Sequence, residues 1–248
     1  MRGGRTQANE LVQLELPVGS RRGGHRPGAG RKPRDPNARS STPHRPRGQP
    51  GRGHPVHVTV RTLAGLPRLR ADAPFDALVD AIRKSQRDDS RVVHFSVQHD
   101  HVHLLVEADD GAALSRGMSG FAIRAARALN RVFGRAGRLW GDRWNGRALR
   151  SPREVRNALA YLLFNARKHG ELGFGLDGYA STPWAAACFE DDTYREGLAL
   201  LVEARVSPVH LPRTWLLGHG WKRRGLLRWQ DAAAIERRGR TERTRRRI

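Results

Sequence analysis

Residues 91–108 read RVVHFSVQHDHVHLLVEA, and this stretch decides the fold. On both sides of His99 and Asp100 apolar and polar residues alternate, which is the pattern of a strand with one buried face. Two such runs around a short turn predict a β-hairpin. His101 and His103 are two positions apart on the second strand, so both imidazoles project to the same side of the sheet.

The flanking segments extend this hairpin into an α+β domain. HPVHVTVRT before it alternates as a strand, residues 73–89 and 111–133 have helical spacing, and residues 137–150 predict a loop and a fourth strand. The resulting βαββαβ order is that of a ferredoxin-like fold, an antiparallel sheet with helices on one face. We therefore expect the valines of the first three strands to face the helices. The side chains expected on the open face are His57, Thr59, His94, Ser96, His101 and His103.

The segment SPREVRNALAYLLFNARKHG, residues 151–170, predicts a further helix. Ser151 is its N-cap, Pro152 occupies the first helical position, Glu154 completes a capping box and Gly170 provides the stop. Tyr161 and Asn165 are four residues apart, and we expect them on one face, away from the apolar stripe. A surface tyrosine beside a solvated asparagine is the simpler alternative.

Composition points to a polyanionic partner. The 248 residues carry 46 Lys and Arg against 24 Asp and Glu, a net charge of +22, which favours nucleic acid. The charge is concentrated at the ends, since residues 1–53 and residues 213–248 each contain 12 basic and 3 acidic residues. The single cysteine, Cys188, excludes an internal disulfide. With neither a secretory signal nor a long apolar run, we expect no membrane partner and a cytoplasmic, nucleoid-associated protein.

Three regions are expected along the chain. Residues 1–53 are rich in Gly, Pro and Arg and predict a disordered basic arm. Residues 54–172 hold the predicted catalytic domain. Residues 173–248 form a helical, Trp- and Arg-rich extension with a basic tail, whose tryptophans offer either a small accessory core or a stacking platform for unpaired bases.

HVHLLVE, followed some 60 residues later by ALAYLLFNARKHG, resembles the HUH single-strand transposase family, and more narrowly the REP-associated tyrosine transposases. The segment LNRVFGRAGRLWGDRW between them is also similar to that family, and the resemblance spans about residues 54–172. Two positions depart from it. The family often has Pro-Asn before its first metal-binding histidine and Asn-Pro after its tyrosine, where this chain has His99-Asp100 and Asn165-Ala166.

The resemblance implies a site and a reaction. His101, His103 and Asn165 match the ligands of a divalent metal, Mg²⁺ or Mn²⁺, and Tyr161 matches the nucleophile. Such a site cleaves and rejoins single-stranded or hairpin DNA through a 5′-phosphotyrosine intermediate. In relatives of this fold the tyrosine and histidines of one site lie in one chain or across a dimer, so a homodimer stays open.

Basic residues in several segments are candidate DNA contacts. The arm contains GRKPR, which resembles short basic hooks that enter AT-rich minor grooves, and the second helix of the domain carries an arginine-rich side. The residues expected to bind DNA are Arg31, Lys32, Arg34, Arg124, Arg127, Arg131 and Lys168. Two other functions fit the same residues: a non-catalytic protein that binds structured DNA or RNA, and a phosphodiesterase that uses water while Tyr161 only positions phosphate.

Overall fold

The computed structural model describes residues 51, 53–165, 177–202, 206–228 and 230–231. Seven elements form the central domain, and they follow the predicted order. They are β1 (Val56–Arg61), α1 (Asp72–Arg83), β2 (Ser90–Val97), β3 (His101–Ala108), α2 (Gly111–Val132), β4 (Asn145–Ala148) and α3 (Pro152–Leu163). The expected disordered arm and the basic tail lie outside the described residues.

All neighbouring strands of the sheet are antiparallel, in the order β2-β3-β1-β4. The first and third strands are therefore neighbours, as the ferredoxin-like prediction requires. In their register Thr59 lies opposite His103 and Arg61 lies opposite His101. Strand β4 forms one edge, and its residues are largely exposed.

One hydrophobic core lies between the sheet and helices α1 and α2. Alternate valines of β1 and β3 enter it from the sheet, and residues such as Leu78, Met118 and Phe121 enter it from the helices. Burying these side chains stabilises the domain by roughly 1.5–3 kcal/mol for each large apolar group. The α+β prediction is thereby confirmed.

Strand β2 departs from the predicted alternation. The pairing of β2 with β3 shifts between Val92 and His94, so Val93 is an extra residue in a β-bulge. The bulge places Val93 in a second hydrophobic cluster, with Leu105, while Val92 stays in the first. The expectation that Val93 faces the helices is therefore wrong.

The side of the sheet predicted to be open is covered. His94, Ser96, His101 and His103 are all buried, because α3 and the chain after residue 176 pack over them. This second cluster includes Leu159 and Leu162 of α3 together with Phe189, Leu217 and Trp221. The histidines thus lie in a partly dry interior and not on a solvated face.

The described residues after 176 form a segment that covers the histidine side of the sheet, and we call it the covering segment. Three polar groups attach it to the domain. The buried Glu107 carboxylate of β3 accepts hydrogen bonds from the backbone N–H groups of Arg213 and Thr214 at 2.8 and 2.9 Å. Arg70 forms a buried ion pair with Asp177 at 3.0 Å. Arg156 of α3 donates to the Gly225 and Leu226 carbonyls and to Asp231.

Helices end earlier than the sequence patterns predict. Helix α1 ends at Arg83, because Ser85 turns back to donate its hydroxyl to the Ala81 carbonyl at 2.6 Å. Beyond the domain, a helix over Asp192–Val202 confirms the helical pattern of residues 191–204. None of the helices in the described ranges is long and apolar enough to cross a membrane.

Two tryptophans of the extension, Trp215 and Trp221, differ in burial. Trp221 is almost fully buried in the second cluster and donates its Nε1–H to the Leu217 carbonyl at 2.9 Å. Trp215 is 51% exposed, with the Arg223 guanidinium 5.1 Å from its ring centre. The accessory-core expectation therefore describes Trp221, whereas Trp215 is half exposed.

Candidate active site

The two strand histidines converge. His101 and His103 project from the same side of β3, with ring centroids 4.7 Å apart and planes nearly perpendicular. Their Nε2 atoms lie 3.1 Å apart. His99, in the turn, is exposed and does not join this pair. The expectation that His101 and His103 face the same way is confirmed by this geometry.

Asp100 fixes the ring of His101. The Nδ1–H of His101 donates to Asp100 Oδ1 at 2.6 Å, and Arg61 pairs with the other carboxylate oxygen. Partial burial acts to raise the pKa of Asp100, but His101 and Arg61 outweigh it and hold that pKa below its usual value. With its proton on Nδ1, His101 presents the lone pair of Nε2 toward His103.

The Nδ1 atom of His103 is also held, by β1. Thr59 Oγ1 lies 3.1 Å from it and His57 Nε2 lies 3.2 Å from it. A proton on Nδ1 donated to Thr59 leaves Nε2 of His103 as a lone-pair donor as well. Such outer partners are what orient metal-binding histidines in proteins.

His57 is a neutral neighbour of the pair. Burial, followed by the charge of Arg147, lowers the pKa of His57 to about 4, so the imidazole carries no charge at neutral pH. Its ring centroid lies 5.2 Å from that of His103 and 5.8 Å from that of Tyr161. It therefore packs between the strand and the helix without adding positive charge to the site.

Helix α3 brings Tyr161 to the histidines. The helix begins as predicted: Ser151 Oγ accepts from the Glu154 N–H at 3.3 Å, and Glu154 accepts from the Arg150 N–H at 2.7 Å. Two turns later the Tyr161 hydroxyl lies 3.5 Å from His103 Nε2, and the two rings meet edge to face at 5.1 Å. The half-buried Tyr161 is thus a constituent of this site.

Asn165 lies beyond the helix end. The sequence predicts one helix to Gly170. In the structure α3 ends at Leu163, Phe164 leaves helical geometry and packs against Phe189 at 5.9 Å, and Asn165 is helical again. Residues 166–170 lie outside the described residues. Asn165 is fully buried, and neither its Oδ1 nor its Nδ2 has a hydrogen-bond partner among the described residues. The alternative of a solvated asparagine is therefore wrong. A buried, unpaired amide costs roughly 1–3 kcal/mol.

The donor set fits a divalent cation. The Nε2 atoms of His101 and His103 lie 3.1 Å apart, so one divalent cation would be within reach of both. Two facing lone pairs need a cation or a shared proton between them. In the described part of the chain no three His, Cys, Asp or Glu side chains form a metal-binding group, and Asn165 stays the predicted third ligand.

The candidate DNA contacts divide into two groups. Arg124, Arg127 and Arg131 are exposed along α2, as predicted. Arg31, Lys32, Arg34 and Lys168 lie outside the described residues.

Two residues of the site were missed by sequence reasoning, Asp100 and Thr59. Asp100 was read only as part of the turn, although a carboxylate directly before a candidate metal-binding histidine is a signal in itself. Thr59 was expected to share a sheet face with His103, but only the strand register places it directly opposite that residue.

The fold and these side chains define a class of protein. A ferredoxin-like sheet carries two convergent histidines, and a following helix brings a tyrosine hydroxyl to them. This arrangement agrees with the one that the sequence resemblance to the HUH single-strand transposases predicts.

Comparison with known proteins supports that class. Residues 76–147 match the family model described as Transposase IS200 like, so this central region is similar to the IS200-like transposases. The resemblance seen in the sequence is thereby confirmed. The match includes both histidines and ends before α3, so Tyr161 and Asn165 lie beyond it.

One solved structure is described as the REP-associated tyrosine transposase bound to a REP hairpin. It is 21% identical to this chain, covers 49% of this chain and 71% of its own, and gives a TM-score of 0.42. No curated protein matches the chain.

Proposed function

We propose that the protein is a metal-dependent tyrosine transposase that cleaves and rejoins single-stranded or hairpin DNA. One observation carries the proposal: the Tyr161 hydroxyl lies 3.5 Å from Nε2 of His103, which lies 3.1 Å from Nε2 of His101. A nucleophile and two convergent ligands therefore surround a point where a phosphate could bind. We expect the protein to act on DNA in the cytoplasm, at the nucleoid.

The chain's own residues have distinct parts in this reaction. Tyr161 Oη attacks the phosphorus, an O–P bond to the tyrosine forms, and the bond from phosphorus to the 3′ oxygen breaks. The phenol loses its proton, and the leaving oxygen gains one to become a 3′-OH. Because a phenol has a pKa of about 10, Tyr161 needs activation in the site. Attack of another 3′-OH on the phosphotyrosine reverses these steps and rejoins DNA.

His101, His103 and Asn165 would hold Mg²⁺ or Mn²⁺. Asp100 and Thr59 keep the two imidazoles oriented, while the covering segment limits water on this side of the sheet. When bound, the cation polarises the scissile phosphate and stabilises negative charge on the leaving oxygen.

Adduct formation tests the proposal. Purified protein is incubated with Mn²⁺ and a panel of labelled hairpin oligonucleotides that carry single-stranded extensions, and covalent products are resolved on a denaturing gel. We expect a one-to-one protein–DNA adduct that disappears in Tyr161→Phe. The matched control is Tyr179→Phe, because the Tyr179 hydroxyl bonds to Asp72 at 3.3 Å. An adduct that persists in Tyr161→Phe would show that this tyrosine is not the nucleophile.

The non-catalytic alternative also has one supporting observation. The described residues contain no three-member His, Cys, Asp or Glu metal group, so the proposed metal site relies on the predicted role of the Asn165 amide. A protein of this second kind would bind hairpins equally well with and without Mn²⁺, and no member of the panel would be cleaved. Cleavage without a covalent intermediate would instead indicate a phosphodiesterase that uses water.

A further inference from the structure

A pocket lies on the opposite side of the sheet from the histidines. It has a volume of about 280 Å³ and is bounded by Val60, by helix α2 and by the loop before β4. Val60 points into the helix-side core, whereas its neighbour Thr59 contacts His103 on the other side. The pocket is therefore separate from the candidate active site, although both lie next to β1.

Two indoles form its apolar walls, Trp140 and Trp144. Trp140 is fixed by a hydrogen bond from its Nε1–H to the Ala122 carbonyl at 2.8 Å. The ring of Trp144 lies so close to Gly146 that a Cβ there would approach it to 2.7 Å, and the glycine thus allows the ring to pack on the edge strand. Held indole rings are suited to a flat aromatic ligand, and stacking on a nucleobase contributes about 1–3 kcal/mol.

Polar groups surround these walls. Asp142, Arg143, Ser115 and Ser119 also line the pocket, and the Asp142 carboxylate is oriented by the Arg143 N–H at 2.7 Å. Guanine offers two adjacent acceptors, O6 and N7, which suit an arginine, and an N2 amino donor, which suits a carboxylate. Arg143 and Asp142 together therefore favour guanine over the other three bases.

The charge around the pocket selects the kind of partner. Residues 111–150 contain nine basic residues and one acidic residue, whereas residues 54–110 contain seven basic and nine acidic residues. A polyanion is thus attracted to the side of the domain formed by α2 and the loop. The pocket itself is at the small end of ligand sites, which suits one base better than a longer segment.

We propose that this pocket binds one unpaired guanine of the DNA strand held by the protein, an inference that rests on the proposed function. A strand that passes around the edge strand β4 can place one base beside Trp144 and a phosphate on the histidine side. The pocket then sets which position of the strand enters the active site.

Binding to oligonucleotides of about ten thymidines, with one central base changed to guanine, adenine or cytosine, tests this pocket. Fluorescence anisotropy gives the affinity, and quenching of tryptophan emission reports stacking. We expect the guanine oligonucleotide to bind about tenfold more tightly than the others and to quench most. Ser119→Leu, which fills the pocket from the helix side, and Arg143→Ala should both remove this preference.

The control is Arg127→Ala, an exposed α2 arginine outside the pocket, which should weaken binding to all four oligonucleotides equally. Equal affinity for all four bases, or a guanine preference that survives Ser119→Leu, would overturn the proposal. The two proposals fail separately. A phosphotyrosine adduct formed without base preference removes the pocket alone, and a guanine preference without any adduct removes the transposase activity alone.

Discussion

Asp100 and His101 are adjacent in sequence, and the carboxylate of the first accepts the Nδ1–H of the second at 2.6 Å. This contact directs the other ring nitrogen of His101 toward His103. Asp100 stands where the related transposases often have an asparagine, so in this chain a charged group supports the first candidate ligand.

We expect Asp100→Ala to lower the affinity for Mn²⁺ by about 10- to 100-fold, because outer partners of metal-binding histidines have effects of that size. Asp100→Asn should lose less, since its amide oxygen still accepts the hydrogen bond. Calorimetric titration of the DNA-free protein measures both, with the exposed Asp76→Ala as control. Unchanged Mn²⁺ binding in Asp100→Ala would remove Asp100 from the site.

Asn165→Leu should separate stability from activity. The buried amide has no partner in the described part of the chain, so an apolar side chain of similar size should raise the free energy of unfolding by about 1 kcal/mol. The same change should abolish the DNA adduct and weaken Mn²⁺ binding. Urea unfolding and the adduct gel measure the two effects, and the exposed Asn157→Leu should alter neither. An active Asn165→Leu protein would exclude Asn165 as a ligand.

His94 should make folding stability fall in mild acid. Burial lowers the pKa of His94 from 6.5 to about 4, so the unfolded chain binds a proton more tightly than the folded chain does. Stability is complete above the unfolded value and decreases as the pH falls from 6.5 towards 4. The loss from His94 alone is about 2 kcal/mol between about pH 7.5 and pH 5.

His57 has the same lowered pKa, so His94→Gln should remove about half of this pH dependence. Urea unfolding at several pH values measures it. The exposed His99→Gln should keep the full dependence, and an unchanged slope in His94→Gln would contradict the assignment.

The arginines of α2 should determine much of the salt dependence of DNA binding. For every phosphate that the protein no longer neutralises, the slope of log affinity against log salt becomes shallower by about 0.7–0.9. We therefore expect the slope to decrease by about 2–3 when Arg124, Arg127 and Arg131 are all changed to alanine. Anisotropy titrations at several salt concentrations measure it. Arg83→Ala on α1, where Arg83 pairs with Asp80, serves as control, and an equal effect there would exclude α2 as the DNA surface.

Glu107→Ala should destabilise the protein by about 3–5 kcal/mol, because it leaves the buried Arg91 and the N–H groups of Arg213 and Thr214 without their partner. Breaking the exposed pair of Arg116 and Asp89 by Asp89→Asn should cost less than about 1 kcal/mol. Thermal unfolding compares the two. A small effect of Glu107→Ala would mean that the covering segment is held by other contacts.

The sequence predicts the elements well where local signals are strong. Alternation defines β3, and the capping residues of α3 define its start, since both signals depend on neighbouring residues alone. The sequence did not predict the bulge at Val93, because a single extra residue hardly alters the alternation of apolar and polar residues. The sequence did not predict the end of α3, because the helical spacing of apolar residues continues past Phe164. The contact of Phe164 with Phe189 joins residues that are far apart in the sequence.

The covered histidine face was the main structural error. Its cover comes from α3 and the described residues between 177 and 228, whose sequence has no clear apolar period and gives little indication of what it packs against. The pairing of Tyr161 with His103 rested on the family resemblance. Thr59 required the strand register, whereas Asp100 was interpreted only as a turn residue. Sequence reasoning therefore located the centre of the site but not the groups that support it.

The covering segment also has a consequence for the order of synthesis. Glu107 can form its hydrogen bonds with Arg213 and Thr214 only after these residues have been synthesised, more than a hundred residues later. The sheet and its two helices can form early from nearby segments, but the histidine side stays wet until the chain has passed Trp221. A nascent chain therefore exposes the arginines of α2 before its histidines are sheltered, and we expect the proposed strand cleavage only from the finished molecule.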